Sequence, residues 1–398
     1  MRILFVCHRL PYPPNRGGKI RPFNFIRHLN QQHEVVVASL AHTELERSEG
    51  APLKDHCSEV IAEVVPEADR WRRAVLALPT TKPSSVAYFW SPRLARRIRQ
   101  AAAQKPFDAI FVHCAFMGPY VKDLLAGLRV LDFGDLDSGK WFDYSRHRSF
   151  PFSWGYGLEA RKLRRYEKHL ARIFDRYTVT TQGELEEYKT LGGPHPATVI
   201  PNGVETSYFH RRAADHPDLA VLVFLGRMDY YPNAEGVLYF AREVFPLVRQ
   251  AMPEAQLRIV GSNPSEPIKS LGRTPGITVT GHVPDVRSHV EAAAVSIVPL
   301  RIARGTQNKI LECMAMGIPV VSSSQAARGI QATPGQHLLV ADGPQEFADR
   351  VLDLLRNPAL RKQLADAAHQ QVQSAHAWPS SLRILDTVLD PSSNGQPH

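Results

Sequence analysis

Residues 301–324 read RIARGTQNKILECMAMGIPVVSSS. Gly305 and Thr306 break the chain, residues 307–316 carry apolar side chains at helical spacing, and residues 319–322 form a short β-branched run. A helix that leads straight into a buried strand is part of a βαβ unit, the element from which parallel sheets are built. The strand pattern at 295–299 completes that unit on its upstream side.

The same alternation extends over the rest of the chain. Short apolar runs at 3–7, 34–40, 60–65, 109–113, 130–133, 177–181 and 198–200 show little polar alternation, as strands covered on both faces do. Helical patterns at 21–32 and 158–174 stand between them. The pattern restarts after Pro201, with strands expected at 221–225, 256–260, 277–280, 295–299, 319–322 and 338–340. A chain of 398 residues also exceeds the roughly 250–300 at which one core gives way to two. The predicted fold class is therefore α/β, with two Rossmann-like domains at 1–200 and 201–375. A C-terminal helix at 376–390 is expected to pack back toward the first domain, the tail 391–398 to be disordered, and the hinge to lie near 195–216. Ligands of such folds bind at the carboxyl ends of the strands.

Composition narrows the function classes. No apolar run approaches the roughly 20 residues of a membrane-spanning helix, and the N-terminus lacks the pattern of a signal peptide. Cys7, Cys57, Cys114 and Cys313 form no CxxC pair, so neither a disulfide scaffold nor a structural zinc site is indicated, and a cytoplasmic location is expected. The net charge of +9 belongs to the first half, where 30 basic residues face 21 acidic ones, against 18 and 18 in the second. Residues 70–105 hold nine basic and no acidic side chains. Such a segment is either a solvated face or an attraction for phosphorylated substrates, an anionic membrane or nucleic acid. No recognised nucleic-acid motif accompanies it, and no nucleic-acid partner is expected.

Two stretches carry candidate chemistry. After the first strand, Gly17 and Gly18 precede a helix whose free N–H groups suit an anion. In the second half, Gly305 and Thr306 open a helix that carries Asn308 and Lys309 in its first turn and Glu312 three residues on. Backbone donors and an ammonium suit a diphosphate, and a carboxylate one turn away can accept two ribose hydroxyls. A surface Lys–Glu pair before a packed helix stays open at this point. Asp132, Asp135 and Asp137 resemble a metal cluster but fit no calcium loop, and no metal is expected.

Residues 309–321, KILECMAMGIPVV, resemble the nucleotide-binding signature of the retaining glycosyltransferase family 4, whose fold is GT-B. VIPNGVE at 199–205, FLGRMD at 224–229, IVGS at 259–262 and GHVPD at 281–285 follow the same pattern, while DFGDLDSGKW at 132–141 resembles the branch linked to exosortase and exopolysaccharide clusters. The resemblance implies a nucleotide-diphosphate sugar as co-substrate with no further cofactor. It implies a glycan or lipid-linked acceptor, bound in a cleft between the domains, and peripheral contact with an anionic membrane. On matching positions it implies that Glu312 binds ribose, that Arg227 beside Gly226 stabilises the departing diphosphate, that Gly18 approaches the donor phosphate, and that His113 lies near the transferred sugar. Two positions depart from the family pattern. Arg304 stands where the first motif glutamate is expected, and Asn233 where a basic residue is expected, with Lys309 available to supply the missing charge. The departures keep two other functions in view, a nucleotide-sugar epimerase and a non-catalytic sugar-nucleotide-binding protein.

Overall fold

The computed structural model describes residues 1–15, 17–210 and 220–390. The expected disordered tail and the last part of the expected hinge lie outside them. The chain divides into two compact units, Met1–Pro201 together with the segment from Leu382 onward, and Asn202–Ser381.

The first unit is built on seven strands: β1 (Arg2–Cys7), β2 (Glu34–Ala41), β3 (Glu59–Val64), β4 (Ala109–His113), β5 (Leu128–Gly134), β6 (Arg176–Val179) and β7 (Ala197–Val199). All pairings are parallel and the order is β3-β2-β1-β4-β5-β6-β7. The second unit has six: β8 (Val221–Leu225), β9 (Gln256–Val260), β10 (Ile277–Gly281), β11 (Val295–Val298), β12 (Val320–Ser322) and β13 (Leu339–Val340). They too are parallel, in the order β10-β9-β8-β11-β12-β13. Ile3, Leu4, Phe5 and Val6 of β1 and Leu222, Val223 and Phe224 of β8 are fully buried, which is why these strands tolerate no polar alternation.

Strand order positions the sites. It reverses direction between β1 and β4 in the first sheet and between β8 and β11 in the second. At such switch points the following loops diverge to opposite faces and leave a crevice at the carboxyl edge. The loops after Cys7 and His113 occupy one crevice, and those after Leu225 and Val298 the other.

Several local expectations are corrected. The helix expected from about Arg21 begins at Gly17 and runs to Leu29, so both glycines lie in its first turn and not in a preceding loop. The helix expected from Leu158 begins at Phe152 and takes in most of the aromatic stretch FPFSWGY at 150–156, of which Phe150, Phe152 and Trp154 are exposed. The basic run at 70–105 is partly consumed by the fold. Arg70 is buried beside His42, Arg73 donates to the Trp90 carbonyl, and Arg97 donates to the Ala62 carbonyl.

Candidate functional site

In the second unit, the residue after β8 is Gly226. A Cβ there would stand 2.6 Å from Asn233 Nδ2 and 3.1 Å from Lys309 Nζ, so only glycine lets the three segments meet. Lys309 Nζ donates to Asn233 Oδ1 at 2.5 Å and lies 4.5 Å from the centroid of the Phe224 ring. Asn233 Nδ2 donates to the Arg227 carbonyl at 2.9 Å. The side chain at the departure from the family pattern thus links the Lys309 ammonium to the Arg227 backbone. Arg227 itself is exposed, and its guanidinium is paired with Asp229. Burial raises the Asp229 carboxyl, but the hydrogen bonds from Arg227 and Asn263 outweigh it and the net shift is downward.

The loop after β11 supplies the anion-binding element. Gly305 sits at φ +60°, a left-handed conformation that favours glycine. The helix Asn308–Ala315 follows with no side-chain cap, so its first-turn N–H groups keep their capacity for an external acceptor. Thr306 Oγ1 and Asn308 Oδ1 are buried without a hydrogen-bond partner, a cost that a bound polar ligand would remove. Burial pushes the Lys309 ammonium down to about 7 against the opposing pull of Glu312. It pushes the Glu312 carboxyl up to about 7, with Lys309 opposing. Gly226, Gly305, Thr306, Asn308, Lys309 and Glu312 thus belong to the β8/β11 switch point, with Arg227 at its edge.

In the first unit, the switch point is organised by a buried carboxylate that sequence reasoning missed as an organiser. Asp132 on β5 accepts from Arg21 Nε at 3.0 Å and Arg21 Nη2 at 2.9 Å, and from Thr178 Oγ1 at 2.6 Å. Arg21 also donates to the Ile200 carbonyl at 2.7 Å. Burial alone would raise the Asp132 carboxyl, but Arg21 and His113 hold it well below the usual carboxylate range. His113 Nδ1 lies 2.7 Å from Asp132 Oδ2. An ionised carboxylate can only accept, so Nδ1 carries a hydrogen and donates it, and Nε2 points away from this bond. His8, which follows β1, has its ring centroid 6.0 Å from that of His113. Burial, reinforced by Arg9 and His113, keeps His8 neutral far below its usual pKa. Gly18 borders this group, since a Cβ on it would lie 4.0 Å from His8 Nε2, whereas Gly17 has nothing within 4 Å. The aspartates do not gather as a metal cluster: Asp132 is bound as described, and Asp135 accepts from Thr180 Oγ1 at 2.5 Å.

Residues 16–208 match the family described as Glycosyltransferase Family 4, and residues 220–357 that described as Glycosyl transferases group 1. With two parallel sheets of Rossmann type, the chain belongs to these glycosyltransferases and has the GT-B fold. It is 28% identical over 335 residues to the phosphatidyl-myo-inositol mannosyltransferase of Mycobacterium leprae (strain TN), over 80% of this chain and 84% of the relative. Among solved structures it is similar to sucrose-phosphate synthase from Thermosynechococcus elongatus, with a TM-score of 0.70, 16% identity and 98% of each chain covered. It is equally similar to Anabaena HepE in complex with UDP, with a TM-score of 0.70, 14% identity, and 98% of this chain and 99% of that one covered. Among the described residues no helix is long and apolar enough to cross a membrane.

Proposed function

We propose that the protein is a retaining glycosyltransferase that moves a sugar from a nucleotide-diphosphate donor to a hydroxyl of a glycan or lipid-linked acceptor, in the synthesis of an extracellular polysaccharide. The observation that carries the reading is the convergence of Lys309, Asn233 and the uncapped helix start after Gly305 at the β8/β11 switch point. That the Anabaena relative binds UDP and the mycobacterial one is a mannosyltransferase supports a nucleotide-sugar donor.

In this reading the diphosphate rests on the amides of Thr306 to Lys309, with Lys309 and Arg227 about its oxygens and Glu312 on the ribose. As the bond to the sugar C1 breaks, negative charge grows on the leaving oxygen, and fixed donors stabilise it more in the transition state than in the ground state. Arg227 must exchange its pairing with Asp229 for the diphosphate. The departing phosphate takes the acceptor proton, so no side-chain nucleophile is required. His113, oriented by Asp132, offers Nε2 to a sugar hydroxyl. The nucleotide sugar is the co-substrate, and no further cofactor is proposed.

The proposed setting is the cytoplasmic face of a membrane, in peripheral contact with anionic lipid. Supporting it, the helix Glu67–Ala77 and the residue after it expose Trp71 (56%), Leu76 (68%) and Leu78 (52%) beside Arg72.

A calorimetric panel of UDP, GDP and ADP sugars, followed by transfer assays with product anomers resolved by NMR, tests the proposal. Binding of a donor followed by transfer with retained configuration is expected. Inverted product would overturn retention, and tight binding without turnover across glycan and lipid-linked acceptors would favour a non-catalytic binding protein. Epimerised donor without acceptor would favour an epimerase.

A further inference from the structure

We propose that His8, His113 and Cys114 form a zinc-binding site with one open coordination position at the carboxyl edge of the first sheet. Each side chain offers one ligand atom, and these atoms lie within 4.8 Å of one another. Around a tetrahedral zinc with bonds of about 2.0–2.3 Å the ligand atoms stand roughly 3.3–3.8 Å apart, so small side-chain rotations close the set. Two imidazoles and a thiol suit zinc, whereas magnesium and calcium require oxygen donors.

Sheet order creates the convergence. Cys7 at the end of β1 is in register with His113 at the end of β4, so His8 and Cys114 leave the sheet side by side although far apart in sequence. His113 already has the arrangement common to zinc-binding histidines, with one ring nitrogen bonded to a buried carboxylate and the other left to coordinate. Asp132 is itself fixed by Arg21 and Thr178, which completes the outer support of that ligand. His8 Nδ1 is buried without a hydrogen-bond partner. Cys114 is held at φ +73°, a conformation that side-chain-bearing residues rarely adopt and that collects at functional positions. His8 and Cys114 are only half-buried, which gives the ion a way in.

A zinc ion on His113 Nε2 denies that atom to a sugar hydroxyl, so the site is inhibitory and not catalytic. This consequence rests on the transfer reading, whereas the binding itself does not.

The test is titration of the metal-free full-length chain with cobalt(II), followed by zinc(II). One equivalent of cobalt is expected to give a thiolate-to-cobalt charge-transfer band and the strong visible absorption of a four-coordinate ion, both displaced by zinc. Cys114→Ser should abolish the charge-transfer band, and His8→Gln should weaken zinc binding at least about 10-fold. Cys57→Ser should change neither. Circular dichroism and melting curves establish that each variant is folded, and the two ligand variants test the site independently. Absence of the band in the unmodified chain, or its survival in Cys114→Ser with unchanged affinity in His8→Gln, would overturn the site. Zinc binding at these residues without slowing transfer would overturn the inhibitory role alone.

Discussion

The Lys309 ammonium donates to the Asn233 side chain at 2.5 Å, while the same asparagine holds the Arg227 carbonyl at 2.9 Å. A neutral residue at the position where the family pattern has a cation therefore works as a bracket that brings in a cation from the facing helix. Lys309→Met is expected to weaken UDP or GDP binding about 10–100-fold, in line with roughly 1.5–3 kcal/mol for a hydrogen bond to a charged group. Asn233→Leu should cost less, since the ammonium stays but loses its anchor. Isothermal titration measures both, and unchanged affinity in Lys309→Met would remove the residue from the site.

The pH response of binding follows from two half-buried groups with opposite needs. Lys309 titrates at about 7, so its charged form declines as pH rises through that value. Glu312 also titrates at about 7, and its ionised form, the better acceptor for ribose hydroxyls, declines as pH falls through it. Nucleotide affinity should be bell-shaped with its top near neutrality. Lys309→Met should retain only the acid limb and Glu312→Gln only the alkaline limb, which titrations in a series of buffers can separate.

The Arg21–Asp132 pair is fully enclosed, so breaking one side leaves the other charge buried without its counter-ion. Asp132→Asn should destabilise the first unit by about 3–5 kcal/mol in urea unfolding. The double variant Asp132→Asn with Arg21→Met should recover part of that loss. A loss below about 1 kcal/mol in the single variant would mean that the charge is solvated after all.

Glu167 supports the first turn of the helix Asp137–Arg146 by accepting from the Ser138 amide at 3.0 Å and from the Ser138 hydroxyl. Burial raises its carboxyl to about 7 despite those hydrogen bonds. Between about 4.3, where it titrates when unfolded, and 7 the folded chain keeps a proton that the unfolded chain has lost, so stability falls as pH rises through that window. Glu167→Gln keeps one acceptor oxygen for the Ser138 amide without the titration. It should stabilise the protein by about 1–3 kcal/mol at pH 8 and by almost nothing at pH 4, read from melting curves at the two pH values.

The strands were legible because parallel strands covered on both faces are uninterrupted apolar runs, as β1 and β8 are. Gly305, Lys309 and Glu312 were legible because a helix start and its first turn are local in sequence. The relationships that depend on strand order were not. Asp132 meets Arg21 across 111 residues, and Asn233 meets Lys309 across 76, and no spacing rule anticipates either. Cys114 next to His113 was visible, but His8 joins them only through the adjacency of β1 and β4. In the basic run at 70–105, composition did not reveal that Arg70 points inward.

The last helix, Trp378–Leu389, is divided between the units, and its portion from Leu382 onward belongs to the first. There Leu385, Val388 and Leu389 are buried, His28 meets Asp386 at 2.7 Å, and Arg176 donates to the Val388 carbonyl at 2.7 Å. During translation the ribosome must make all of Asn202–Ser381 before this strap emerges, a delay on the order of ten seconds or more. Until then the nascent first unit waits with an uncovered greasy flank, a natural stretch for a chaperone to shield.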